Sequence, residues 1–203
     1  PTLIADANNV AIAVQNAIPS ARPGVIYNGI DTRRFIPGNS TLARQRLGLP
    51  DQGFMVGCAA RLEHVKGIDL AIQAIARLPE NYQLVIAGQG SQRELLGSLA
   101  QQLGVQHRVH FLGLVDDMTR FYQSLDIFCL PSRAEGLPLS ALEAQACGVR
   151  TLVTRVGGTR EALCPDTGLS VPPESPKMLA NMMVKARQLP SPTSPRHFVV
   201  AAR

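Results

Sequence analysis

A chain of 203 residues, 45% hydrophobic and 17% charged, is long enough to bury one full core and falls within the size of one globular domain. Aromatic residues make up only 4% and Trp is absent, so the core must be built from Ala, Leu, Val and Ile, a composition typical of helix-covered parallel sheets. The net charge of +5 comes from 20 dispersed Lys and Arg with no long basic run, which argues against nucleic acid and leaves a phosphorylated small molecule or an anionic membrane surface as partners.

Residues 1–24 are irregular in pattern, with an apolar stretch around Val10 and Val14, and are expected to be the end of a preceding domain running into a linker. The chain begins at Pro1 rather than Met, so a segment is expected upstream. No apolar run approaches the ~18 residues of a spanning helix, and no signal peptide is visible. Cys58, Cys129, Cys147 and Cys164 are widely spaced in mostly apolar segments and form no Cys-x-x-Cys. They are expected to be reduced core thiols in a cytosolic protein.

From residue 53 short β-branched runs alternate with amphipathic stretches, the pattern of repeated strand-helix units. Strands are expected at 54–59, 83–87, 109–112, 126–130, 151–154 and 168–171, which predicts a doubly wound α/β sheet. Ile68, Ala71, Ile72, Ile75 and Leu78 recur at helical spacing. The run Ser91, Gln92, Arg93, Glu94 has the form of a capping box, and Gly104 is expected to stop the helix that follows. Another helix is expected over 139–147, stopped at Gly148. Residues 190–195 are Pro- and Ser-rich and are expected to be loop or tail, closing a domain that covers 25–189.

Three motifs bear on chemistry. Gly88-Gln89-Gly90 invites a dinucleotide-binding fingerprint, but position 93 is Arg where a third Gly or Ala is needed, so a tight strand-to-helix turn is the better expectation. The loop 61–67 follows the first strand of the sheet, at its carboxyl end, and carries Arg61 and Lys66, two cations suited to a pyrophosphate. Residues 135–143 follow the fourth strand, with Glu135 and Glu143 eight positions apart and Pro138 at the expected helix start. The amides of Leu139, Ser140 and Ala141 would then be donors at the positive end of a helix, where an anion binds. The two carboxylates beside them can accept hydrogen bonds from sugar and ribose hydroxyls.

In combination these pieces resemble the retaining glycosyltransferases of the GT-B fold that share a Glu-x7-Glu motif. The resemblance runs over residues 25–188 and is carried in order by 26–31 (Asn28, Gly29, Asp31), the 61–67 loop, Phe111-Leu112-Gly113, Pro131-Ser132, the 135–143 motif with Ala144 and Gly148, Val156-Gly157-Gly158 before Glu161, and Gly168-Leu169 with Val171-Pro172-Pro173. It implies the C-terminal, donor-binding half of such an enzyme, with Arg61 and Lys66 on the donor diphosphate, Glu135 on the transferred sugar and Glu143 on the ribose. It also implies backbone contacts from Leu137, Leu139 and Ser140 to sugar and phosphate, and from Val115 to the base. The implied partners are a nucleoside diphosphate sugar, a UDP-sugar by family frequency, and a saccharide or lipid-linked acceptor held by an N-terminal domain. Surface polysaccharide or lipopolysaccharide synthesis at the inner face of the inner membrane, with peripheral membrane association, is the expected setting.

Many such enzymes carry Gly where this chain has Pro138, and proline offers no N–H. His64, His107, His110 and His197 match no motif. No Asp-x-Asp is present, and Asp116-Asp117 is expected to cap a helix, so no essential metal and no cofactor are expected. The alternatives are a nucleotide-sugar epimerase or hydrolase of related fold, and a non-catalytic nucleotide-binding domain.

Overall fold

The computed structural model describes residues 3–189. The chain opens with a small layer, strand β1 (Ile4–Ala5), helix α1 (Asn8–Ala17) and strand β2 (Gly24–Val25), in which β2 pairs with β1 in parallel. Helix α2 (Ser40–Arg46) follows. The main body then alternates β3 (Phe54–Ala59), α3 (Ile68–Ile75), β4 (Tyr82–Ala87), α4 (Arg93–Gln102), β5 (Val109–Gly113), α5 (Met118–Gln123), β6 (Ile127–Leu130), α6 (Leu139–Ala146), β7 (Arg150–Thr154), β8 (Leu169–Val171) and α7 (Pro176–Gln188).

The six strands from β3 onward form one sheet in the order β5-β4-β3-β6-β7-β8, and every neighbouring pair is parallel. All six expected strands are present, and the doubly wound α/β expectation holds. The helices cover both faces, so β6 and β7 are buried along their whole length, β6 as a continuous apolar run and β7 with Leu152 and Val153 between buried threonines. Successive side chains point to opposite faces, which divides the core in two. Val56 packs with Ile72, Leu84 and Met183 on one side, and its neighbour Met55 packs with Phe121, Tyr122 and Phe128 on the other. All four cysteines are free and buried, as the spacing predicts.

The helix ends are partly as expected. Gly104 and Gly148 follow α4 and α6 with φ of 70° and 80°, the left-handed conformation in which glycine carries no Cβ penalty. Asp117 caps α5, its carboxylate accepting the Arg120 N–H at 3.0 Å. The capping box at Ser91 does not form. Helix α4 starts at Arg93 behind Gln92, while the Ser91 hydroxyl and N–H both go to the Glu63 carboxylate, at 2.9 and 3.3 Å.

The N-terminal residues are more regular than their pattern implied. Helix α1 has Ala7 at its cap position with no side-chain bond, and its first amides, Asn8 and Asn9, each donate to Glu161 at 2.9 Å. That cap comes from 153 positions away and leaves no local signature. Helix α7 was announced by Ser175 and Pro176, an N-cap followed by a first-turn proline, but was not singled out in the sequence. Residues 190–195 and His197 lie outside the described residues.

Candidate functional site

At β3 and β6 the strand order turns outward in both directions, towards β5 on one side and β8 on the other. The crevice beyond the carboxyl ends of these two strands is where an open α/β sheet binds its ligand. The two loops that leave them are the 60–67 and 131–138 segments, so the sheet brings the first cationic motif and the paired-glutamate motif side by side.

In the first loop Arg61 is exposed and forms no ion pair among the described residues. Lys66 ends a short 3₁₀ turn, His64–Lys66, and its Nζ lies 2.8 Å from Glu135 Oε1. The Ser132 hydroxyl donates to the same oxygen at 2.7 Å. The Lys66 and Glu135 side chains are 19% and 8% exposed, so this is an ion pair largely removed from water. Glu135 Oε2 accepts nothing from the described residues. Gly67 makes the contact possible, because a Cβ there would lie 2.1 Å from the Pro131 carbonyl oxygen. Arg133 fastens the same two loops. Its N–H donates to Val65 O at 2.8 Å, and its guanidinium reaches His64 O and the carboxylates of Asp69 and Glu174, each at 2.7 Å.

The Gly88-Gln89-Gly90 turn supports the Arg61 loop from the other side. A Cβ on Gly88 would sit 2.0 Å from Ala60 O, and one on Gly90 2.5 Å from Leu62 O. Leu62 donates its N–H to Gln89 O at 2.8 Å and accepts from the Gln92 N–H at 2.9 Å. These glycines serve backbone-to-backbone packing, in keeping with the tight-turn reading.

In the second motif Pro138 stands at the cap position of α6, and Leu139 and Ser140 are its first two residues. Glu143, one turn in, accepts a hydrogen bond from the Tyr122 hydroxyl on Oε2 at 2.6 Å. Tyr122 is fully buried and packs edge-on against Phe35, Phe121 and Phe128, with ring centroids 6.0, 5.4 and 5.6 Å away. Burial pushes its phenol far above the usual range, and the Glu143 charge adds to the effect. On the back of the motif, a Cβ on Gly157 would meet Glu135 O at 1.8 Å, and Gly158 donates to Gly136 O at 3.1 Å.

A cleft of about 310 Å³ opens over this crevice, with Arg61, Val115, Ser140 and Glu143 among its walls. Four of the eight singled-out residues therefore share one cavity, and Lys66 and Glu135 are joined to each other through the two loops that frame it. Leu139 is 39% exposed and is not one of the walls. Leu137 faces the core, and its backbone is already engaged. Its side chain is buried in the core, and its N–H already donates to Asp6 Oδ2 at 3.2 Å. Asp6, Tyr122, Leu114 and Met118 were not singled out in the sequence. The last three are cleft walls from α5 and the residues before it, where single apolar or aromatic residues carry no motif. Among the described residues no group of three or more His, Cys, Asp or Glu is placed to hold a metal ion. No helix among them is long and apolar enough to cross a membrane.

Cations, helix amides and carboxylates are gathered at the switch point of a parallel sheet, the place where open α/β folds bind their ligands. The chain belongs to the glycosyl transferases group 1 family, whose model matches residues 39–202. It is 34% identical over 139 residues to the O-antigen biosynthesis glycosyltransferase WclY of Escherichia coli, covering 68% of this chain and 39% of that protein. The structure of Anabaena Alr3699/HepE in complex with UDP and glucose superposes with a TM-score of 0.84 at 26% identity, covering 92% of this chain and 53% of that one. The C-terminal domain of the group 1 protein LpcC from Francisella tularensis gives 0.70 at 26% identity, covering 79% of this chain and 88% of that domain. The chain thus spans about two fifths to half of the full-length proteins, and its sheet matches that of GT-B glycosyltransferases.

Proposed function

We propose that this chain is the donor-binding half of a retaining glycosyltransferase that moves a sugar from a nucleoside diphosphate to a saccharide or lipid-linked acceptor. The observation that carries the reading is the convergence of Arg61, Ser140 and Glu143 on one cleft at the sheet's switch point, framed by the Lys66–Glu135 pair. Arg61 and Lys66 stabilise the charge that grows on the departing diphosphate, an electrostatic contribution made in the transition state. Glu135 orients the transferred sugar through its open Oε2, the Leu139 and Ser140 amides meet phosphate or sugar oxygens, Val115 lies against the base, and Glu143 takes the ribose.

HepE, which binds UDP, supports a UDP-sugar as donor. WclY, named for O-antigen biosynthesis, supports assembly of a surface polysaccharide. Its setting in the cytoplasm, at the inner face of the membrane, rests on the family resemblance. The acceptor site belongs to a preceding domain, of which residues 1–24 are the end. Retention of configuration rests on the family resemblance. Calorimetry with UDP, GDP and ADP tests the reading. The chain should bind one or more of these diphosphates, UDP most tightly, and silence towards all three overturns it.

A further inference from the structure

We infer that Tyr122 is a positioning residue that fixes the Glu143 carboxylate for a pair of vicinal hydroxyls and so makes the site selective for ribonucleotides. The inference rests on the proposed ribose role of Glu143 and adds the residue that enforces it.

A glutamate on a helix surface samples several rotamers, and freezing it when ligand binds weakens affinity. Here the freezing is done beforehand. The Tyr122 hydroxyl donates to Glu143 Oε2 at 2.6 Å, a length typical of a hydrogen bond to a charged oxygen. The phenol itself has little freedom, because its ring is fully buried among Phe35, Phe121 and Phe128. Helix α5, which carries it, is pinned at its start by the Asp117 cap. A carboxylate is acceptor-only, so the phenol must donate to it, and the hydroxyl has no other partner among the described residues.

The consequence for the ligand follows from counting lone pairs. With Oε2 taken once, Oε1 is open and accepts nothing from the described residues, and Glu143 is a wall of the cleft. Two acceptor oxygens held in one plane match two adjacent O–H donors. They repel phosphate and offer nothing to a deoxyribose carbon. Selection therefore falls on the diol, and it depends on the orientation that Tyr122 imposes.

The test is a binding cycle on the whole chain, with UDP and 2′,3′-dideoxy-UDP as probes and Tyr122→Phe, Glu143→Ala and the double variant as proteins. The parent should prefer UDP. Tyr122→Phe should weaken UDP by about three- to tenfold, the scale of one side chain that must be ordered on binding, and leave the dideoxy ligand unchanged. The double variant should bind UDP no worse than Glu143→Ala. Equal weakening of both ligands by Tyr122→Phe, or no weakening of either, overturns the positioning role. A parent without preference, or a Glu143→Ala variant that keeps it, removes the ribose assignment itself. Phe35→Leu loosens the ring while keeping the phenol and should lose part of the same preference. It decides the matter if Tyr122→Phe melts below the assay temperature.

Discussion

Arg61 and Lys66 are five positions apart and both cationic, yet the structure gives them different work. Lys66 is engaged with Glu135 in a pair mostly shielded from water, so its removal would leave a buried carboxylate unbalanced and disturb the loop as well as the ligand. Arg61 is exposed at the cleft wall without an ion pair among the described residues, which makes it the cleaner probe. Arg61→Ala should reduce nucleotide affinity by about 1.5–3 kcal/mol, the range for hydrogen bonds to charged groups, with an unchanged melting temperature. Arg61→Glu should abolish detectable binding, because a carboxylate repels the diphosphate. Two folded variants that bind UDP like the parent would remove Arg61 from the site. These two cations and the two glutamates were legible because each pair lies in one short motif beside a strand end. Tyr122 was not, since its partner is 21 positions away, and neither was Asp6, which reaches Leu137 across 131. A contact between distant residues leaves no periodicity to read.

At the level of elements, all six strands of the sheet could be placed to within one or two residues, because short β-branched and apolar runs alternate with helical spacing. The helices that depend on their own caps and glycines, α5 and the ends of α4 and α6, were equally readable. Helix α1 was not, because its cap is Glu161 on a distant loop. The loops carry their information in glycines, and two of these separate backbone strain from crowding. Gly104 has φ of 70° with nothing within 4 Å of an added Cβ, so Gly104→Ala should cost about 1 kcal/mol from backbone conformation alone. Gly157 has φ of 49° and an added Cβ would lie 1.8 Å from Glu135 O. Gly157→Ala should therefore destabilise by a further ~1–3 kcal/mol of overpacking and should also weaken UDP binding, as the displaced carbonyl belongs to Glu135. Thermal melts and calorimetry on both variants check this, and equal losses in stability with intact binding would show that the 156–158 loop does not hold the motif.

For the molecule as a whole, the donor contacts proposed above all lie within this chain, while the acceptor site and the closure that excludes water are assigned to a preceding domain. The chain should therefore bind UDP and show no transfer from the matching sugar donor, since proximity and desolvation are not supplied by one half. Binding should be indifferent to excess chelator, because the proposed site meets the diphosphate with fixed cations and helix amides. A product assay beside the calorimetry reads both points. Transfer by this chain alone would move the catalytic machinery, and an affinity restored by Mg²⁺ or Mn²⁺ after chelation would bring in a metal.

The carboxylate of Asp6 on the Leu137 N–H gives the 135–143 motif a tenant of its own. A ligand oxygen that takes up this N–H does so by exchange, and the affinity then measured is a ratio of two occupancies. Exchange is reciprocal: whatever factor the attached β1–α1 segment subtracts from ligand binding, the ligand subtracts from the segment's attachment. The segment whose amides are tied to Glu161 is in this sense a second ligand of the same motif, covalently supplied and always at high effective concentration.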